Sequence, residues 1–185
     1  FFMKNLISLL IISSLFVACN KKNDAETPIE NQIDSTENIK NDLPKKALTE
    51  LTPTQASQFL KTNNDTLYVT NFFATWCRPC IIEIPHFKEK MQELNGQPVK
   101  FTFVNVNRKE EWSEDVEKFV DDFGIRNQTI LLDPYGLDEN FFKNNFSGWM
   151  GDYIPFTILR KGDKIKEVSG TMSKIELDSQ IKALQ

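Results

Sequence analysis

The stretch that decides the fold spans residues 71–85 and reads Asn71-Phe72-Phe73-Ala74-Thr75-Trp76-Cys77-Arg78-Pro79-Cys80-Ile81-Ile82-Glu83-Ile84-Pro85. Its first residues end the segment Thr66 to Phe73, whose β-branched and aromatic residues predict a strand buried on both faces. A helix is predicted from about Arg78 to Leu94, bent at Pro85. Its apolar stripe recurs every three or four residues at Cys80, Ile84, Phe87, Met91 and Leu94. Two cysteines therefore lie where a buried strand ends and a helix begins.

The two cysteines have unequal places in this helix. Cys77 lies at the helix N-terminus, where unpaired N–H groups and the helix dipole favour an anion, so it should form the thiolate readily. Cys80 belongs to the apolar stripe and faces the core. We therefore expect Cys77, as the exposed cysteine, to attack a disulfide and the buried Cys80 to resolve the mixed disulfide. Arg78 and Pro79, which lie between the two cysteines, are expected to tune the redox potential of the pair.

Two other readings of the pair remain open at this point. A lone Cys-x-x-Cys pair can be half of a zinc site, but the chain offers only His86 as a further soft ligand, and we interpret His86 as an exposed helix residue. The pair can also be a purely structural disulfide. We expect no metal and no cofactor beyond a redox-active disulfide between Cys77 and Cys80.

Strands and helices alternate along the rest of the chain, which predicts an α/β sandwich with a mixed sheet. A capping Thr52 followed by Pro53 opens a first helix, and a capping box at Ser173 opens the last one. The other predicted helices are 113–123 and 137–146, and the other strands are 99–106, 129–132, 156–160 and 164–168.

The N-terminal segment predicts a secretory signal. A short apolar run from Leu6 to Ala18 follows Lys4, and the stretch that ends at Cys19 resembles a bacterial lipobox. This resemblance implies that residues 1–18 are removed and that Cys19 is lipidated. A plain signal peptide, with Cys19 incidental, is the alternative.

The composition changes sharply after Cys19. From Asn20 to about Lys46 the chain is polar and aperiodic, so we assign residues 19–47 to the lipidated cysteine and a disordered tether, and 48–185 to one domain. The 185 residues are 40% hydrophobic, enough for a core, and the net charge of −4 without a basic face argues against nucleic-acid binding. The three cysteines divide into one for lipid and two for redox chemistry.

Residues 71–85 resemble the active-site stretch of the TlpA/ResA family of envelope thiol–disulfide oxidoreductases. The similarity continues through Leu132-Asp133-Pro134, Ile154-Pro155 and Gly170 and covers about residues 50–183. It implies a thioredoxin-like fold in which helices sandwich a mixed central sheet that carries a central α/β insertion. It also implies client proteins with cysteine thiols or disulfides, a membrane electron donor, and attachment to the membrane through the lipid.

The resemblance also implies roles for single residues. Pro155 corresponds to the family's cis-proline, so Ile154, Pro155 and Trp76 are expected to frame the client site. Glu83 corresponds to the family's acid and is expected to assist proton transfer, whereas a solvated helix glutamate is the alternative. In thioredoxins proper the buried acid lies at the position of Asn71.

An aromatic cluster surrounds the approach to Pro155. We expect most of its members to be core residues and only Trp149 or Tyr153 to face a client; the members are Tyr135, Phe141, Phe142, Phe146, Trp149, Tyr153 and Phe156.

The leading hypothesis is an envelope-anchored dithiol–disulfide oxidoreductase that faces the periplasm or the extracytoplasmic side. We expect it to reduce its clients, for example in cytochrome c maturation. A thiol oxidase or isomerase on the same fold is the alternative among enzymes. A binding or metal-carrier lipoprotein without catalysis is the alternative from another class.

Overall fold

The computed structural model describes residues 45–185, which form one six-stranded sheet flanked by helices. The predicted signal segment, the predicted lipidation site Cys19 and the predicted tether up to residue 44 lie outside the described residues. The strands are β1 (Thr49–Glu50), β2 (Leu67–Phe73), β3 (Val99–Asn105), β4 (Thr129–Leu131), β5 (Phe156–Lys161) and β6 (Lys164–Ser169). The helices are α1 (Pro53–Leu60), α2 (Arg78–Glu93), α3 (Glu117–Asp122), α4 (Glu139–Asn145) and α5 (Lys174–Lys182).

These bounds confirm most of the predicted elements and correct one. The capping boxes at Thr52 and Ser173 are both formed, and α2 continues through Pro85. The helix predicted over 113–123 is wrong in its first half, where a π-helical turn at Trp112–Val116 precedes the α-helical residues. The short strand β1 was not predicted, because two residues are too few to show a period.

The strand order is β1-β4-β3-β2-β5-β6, with β2 in the middle of the sheet. Strands β1, β4, β3 and β2 are parallel to one another, whereas β5 is antiparallel to β2 and β6 is antiparallel to β5. The sheet is therefore mixed, as predicted. Six of the seven residues of β2 are buried, because strands flank it on both sides and helices cover both faces.

Two apolar clusters cover the two faces of the sheet. One contains Phe73 of β2 with Ile84 and Phe87 of α2, Val120 of α3 and Leu177 of α5. The other contains Phe72 and packs against Leu60 of α1 and Phe141 of α4. Phe72 and Phe73 thus point to opposite faces, as successive residues of a strand must.

The segment between β3 and β5 is the predicted central insertion. It carries α3, β4 and α4, and β4 joins the sheet beside β3. Without it, β2, α2, β3, β5, β6 and α5 form the thioredoxin-like core that the resemblance implies.

The globular part already includes residues that we assigned to the tether. Lys45 forms an ion pair with Asp121, with 2.7 Å between Nζ and Oδ2. The guanidinium of Arg126 donates a hydrogen bond to the backbone carbonyl of Lys46 at 3.1 Å. Both contacts precede the boundary at residue 48. Within residues 45–185, each helix is too short or too polar to cross a bilayer.

The aromatic cluster near Pro155 is mostly core, but two of its members differ from expectation. Trp149 is 3% exposed, its ring stacks on Phe156 with 4.3 Å between centroids, and its Nε1 donates to the carbonyl of Tyr153 at 2.8 Å. A client-facing role for Trp149 is therefore wrong. Tyr153 is 39% exposed, and Tyr135, expected in the core, is 75% exposed.

Replacing Trp149 by Ala should lower the free energy of unfolding by about 3–5 kcal/mol, because a large buried ring is lost from the core. Trp76 is the matched control, since it is 66% exposed. Trp76→Ala should change the free energy of unfolding by less than about 0.5 kcal/mol. Denaturant titration of the two variants checks this, and equal losses would contradict the assignment of Trp149 to the core.

Candidate active site: a disulfide at the start of a helix

Cys77 and Cys80 form a disulfide at the N-terminus of α2, with their Cα atoms 5.3 Å apart. A turn precedes the helix, in which the N–H of Cys77 donates to the carbonyl of Ala74 at 3.1 Å. Cys77 is the N-cap residue, and its Sγ accepts a hydrogen bond from the N–H of Cys80 at 3.3 Å. The structure therefore places the sulfur of Cys77 among the unpaired N–H groups of the helix, where negative charge is stabilised.

The exposure of the two sulfurs differs less than the sequence predicted. Cys80 is fully buried, and Cys77 is only 4% exposed while the disulfide is closed. The expectation of an exposed Cys77 is therefore wrong for this oxidised state, although Cys77 is the more solvent-accessible of the two cysteines. Arg78 and Pro79 are exposed on the first turn of α2.

The loop that leads to Cys77 is held by Asn107, which sequence reasoning missed. The Oδ1 of Asn107 accepts from the N–H of Thr75 at 2.9 Å, and its Nδ2 donates to the hydroxyl of Thr75 at 2.8 Å. Nδ2 also donates to Glu111 at 2.6 Å, and Asn105 donates to Oδ1 at 2.8 Å. Asn107 is fully buried. The available signal was the pair Asn105 and Asn107 at the end of a predicted strand that lies beside β2.

Glu83 is fully buried one helical turn beyond Cys80, so the alternative of a solvated helix glutamate is wrong. Its Oε1 accepts from Nδ2 of Asn71 at 2.7 Å, and its Oε2 accepts from the N–H of Met172 at 2.8 Å. Burial disfavours the charged form and outweighs these two hydrogen bonds, so it raises the pKa of Glu83 from 4.5 to about 7. A carboxyl group with this pKa can give or take a proton near neutral pH.

Asn71 brings the carboxyl group of Glu83 to the place where thioredoxins proper carry their acid. Nδ2 of Asn71 also donates to the hydroxyl of Thr157 at 3.0 Å, whereas its Oδ1 is buried and has no partner among residues 45–185. The acid therefore comes from α2 instead of from β2, but it lies against the same position of the strand.

His86 is half-buried, so the interpretation of an exposed helix residue is wrong. Its Nδ1 lies 3.1 Å from the carbonyl oxygen of Met172, whose N–H donates to Glu83. The ring thus helps to hold the segment that contacts the buried carboxyl group. Among the described residues, no group of three or more His, Cys, Asp or Glu side chains is arranged to hold a metal ion.

The Ile154–Pro155 peptide bond is cis, as the resemblance predicted. Pro155 is buried, and Ile154 lines a cleft of about 870 Å³ together with Trp76. Trp76 is largely exposed and is not a core residue. The structure therefore brings the two sides of the predicted client site, Trp76 and Ile154, to one surface.

The fold and the disulfide together define a thioredoxin-like protein. Residues 39–159 match the AhpC/TSA family, and the chain belongs to that family. The chain is 30% identical over 123 residues to the thiol-disulfide oxidoreductase ResA of Geobacillus thermodenitrificans, which covers 62% of this chain and 61% of that protein. It is also 30% identical over 112 residues to the thioredoxin-like protein YneN of Bacillus subtilis, covering 60% and 61% of the two chains. The resemblance to ResA-type proteins is thus confirmed, over about three fifths of their length.

Solved structures agree on the fold. A thioredoxin-family thiol:disulfide interchange protein from Chlorobium tepidum has a TM-score of 0.52 and 25% identity, and the match covers 70% of this chain and 85% of that one. A DsbF homologue from Corynebacterium diphtheriae has a TM-score of 0.53 and 20% identity over 67% and 80% of the two chains.

The raised pKa of Glu83 predicts a pH-dependent stability. Between pH 4.5 and about 7 the folded protein holds a proton that the unfolded chain has released, so the free energy of unfolding should fall as the pH rises through this window. The loss should be about 3 kcal/mol, relative to Glu83→Gln, which does not titrate. Denaturant titrations at several pH values check this.

Glu139→Gln is the matched control, because Glu139 is exposed at the start of α4. Its unfolding free energy should follow that of the unmodified protein across the window. Parallel pH profiles for the unmodified protein and Glu83→Gln would contradict the raised pKa.

Proposed function

We propose that the protein is a dithiol–disulfide oxidoreductase that exchanges electrons with cysteines of client proteins. The observation that carries the proposal is the Cys77–Cys80 disulfide, with the sulfur of Cys77 at the N-terminus of α2 and the buried Glu83 one helical turn beyond Cys80. A purely structural disulfide needs neither feature. The names of the ResA relatives support the same activity.

The exchange follows from the unequal positions of the two sulfurs. In the reduced protein the Cys77 thiolate attacks a client disulfide, a bond forms between the two sulfurs, and the other client sulfur leaves as a thiolate. Cys80 then loses its proton and attacks the sulfur of Cys77, which releases the client as a dithiol and leaves the protein oxidised. The client gains two electrons from the protein. Its two sulfurs take up two protons, which balance the proton that Cys77 released to solvent on ionising and the proton that Cys80 loses.

The electrostatics of the site support these roles. The N–H of Cys80 and the helix dipole stabilise negative charge on the Cys77 sulfur. Cys80 is buried where a thiolate is disfavoured, so its deprotonation benefits from a nearby base. Side chains three residues apart on a helix have Cβ atoms about 5–6 Å apart, which puts Glu83 within reach through a small shift or one water. We propose that Glu83 takes this proton.

Location and direction belong to the same proposal. The lipobox-like stretch before Cys19 supports a lipid anchor in the bacterial envelope, with the domain on the periplasmic or extracytoplasmic side. The similarity to ResA-type proteins supports reduction of clients, for example during cytochrome c maturation, with electrons from a membrane donor. Arg78 and Pro79 occupy the first turn of α2 and would tune the potential.

Replacing Cys80 by Ser should trap clients on Cys77, because the mixed disulfide then has no resolving thiol. Mass spectrometry of cells that express this variant should find adducts linked through Cys77. Cys77→Ser is the matched control and should yield no such adducts. If neither variant accumulates adducts, the chain is a binding or carrier protein without disulfide exchange.

The reduction potential of the Cys77–Cys80 pair decides the direction of electron flow. A client reductant should have a potential near that of thioredoxin, about −270 mV, and an oxidant should lie nearer to that of DsbA, about −120 mV. Equilibration with glutathione or dithiothreitol buffers measures it. A reduction potential near that of DsbA, about −120 mV, would favour an oxidase or isomerase instead.

A further inference from the structure

An aromatic cleft opens beside the disulfide. Its walls come from four segments: the turn before α2, the segment after β3, the turn after β4 and the loop before Pro155. Its volume of about 870 Å³ exceeds what one side chain needs. The residues that define it here are Trp76, Tyr135, Tyr153, Arg108, Glu111 and Asp152.

Exposed aromatic rings are concentrated at this cleft. Tyr135, Trp76 and Tyr153 are 75%, 66% and 39% exposed, and each comes from a different loop. Large apolar side chains are costly to leave in water, so a group of them beside a reactive pair indicates a binding surface.

Hydrogen bonds hold each wall in place. Asn107 fixes the loop that carries Trp76. The side chain of Asp133 accepts from the N–H of Tyr135 at 3.1 Å. The hydroxyl of Tyr153 lies 2.7 Å from that of Ser169, and its carbonyl accepts from Trp149. Binding to walls that are already ordered costs less conformational entropy than binding to mobile loops.

The charges of the cleft favour a cation. Arg108 lies 3.4 Å from Glu111, so these two charges oppose each other. Asp152 forms no ion pair within residues 45–185; its Oδ1 accepts only from the N–H of Met150 at 3.4 Å. In the adjacent segment 109–122, Glu110, Glu114 and Asp115 form no ion pair within residues 45–185, which adds negative potential.

We infer that the aromatic cleft binds an arginine side chain of the client, close in sequence to the client's cysteine. A guanidinium is planar and cationic, so it stacks on aromatic rings and donates to a carboxylate such as Asp152. A lysine lacks the planar group, and an aromatic side chain would leave Asp152 without a partner. This inference rests on the proposed function, because two residues that line the cleft adjoin the site in the chain: Trp76 precedes Cys77, and Ile154 precedes Pro155.

The rate of adduct formation by the Cys80→Ser protein tests the inference. The probes are synthetic peptides whose single cysteine forms a mixed disulfide with glutathione, and which differ only in one neighbouring residue: Arg, Lys, Leu, Phe or Glu. The Cys77 thiolate attacks the peptide sulfur, the Cys77–peptide bond forms, and glutathione leaves as its thiolate. The arginine peptide should react about fivefold or more faster than the leucine peptide, and salt should reduce the difference.

Two charge variants, made in the same Cys80→Ser protein, should act in opposite directions. Asp152→Asn should remove most of the arginine preference, and Arg108→Gln should increase it. Asp163→Asn is the matched control, since Asp163 lies in the exposed turn between β5 and β6 at the other end of β5 from Pro155. It should leave the preference unchanged.

The outcomes separate this inference from the proposed function. Equal rates for all five peptides, or a fastest reaction with the phenylalanine peptide, would overturn the arginine site while leaving disulfide exchange intact. The arginine site would also be overturned if Asp163→Asn reduced the preference for the arginine peptide as much as Asp152→Asn does. Failure to form an adduct with any peptide, or with glutathione disulfide, would overturn the proposed function itself.

Discussion

The structure depends on the central position of β2. This strand is hydrogen-bonded to β3 on one side and to β5 on the other, and helices cover both of its faces. Its carboxyl end can therefore lead only into a turn and then into α2, which packs on one face. Because the turn is short, Cys77 becomes the N-cap and Cys80 points into the core. The position of the Cys77–Cys80 disulfide is thus a consequence of the way the sheet is buried.

One group of buried polar side chains joins β2, β5 and α2. Glu83, Asn71 and Thr157 are all buried, and hydrogen bonds join Asn71 to both of the others. Such a group lowers the stability of the fold, because the cost of removing the carboxylate from water exceeds what its two hydrogen bonds contribute. A core residue of similar size and no charge would pack at lower cost. A buried carboxyl group one helical turn beyond Cys80 is therefore consistent with a role in proton transfer.

The central insertion contributes to the site as well as to the sheet. Its first residues include Asn107, which holds the turn before Cys77, and Glu111, which bonds to Asn107 and lines the aromatic cleft. Its later residues supply Tyr135 and the loop that carries Tyr153. The core elements therefore carry the reactive sulfurs, whereas the insertion forms most of the surface that a client would meet.

The sequence by itself determined the order of the main elements, the mixed sheet, and the places of Cys77, Cys80 and Pro155, because these depend on local periodicity, capping and one specific motif. It did not determine which side chains from distant segments meet. Trp149, a candidate for the surface, is buried, and Tyr135, expected in the core, is exposed. His86 lies within hydrogen-bond distance of the carbonyl of Met172, and Asn107 accepts a hydrogen bond from the N–H of Thr75. Only the tertiary structure decided these contacts, because burial and hydrogen bonding across the fold depend on the packing of elements that are far apart in the chain.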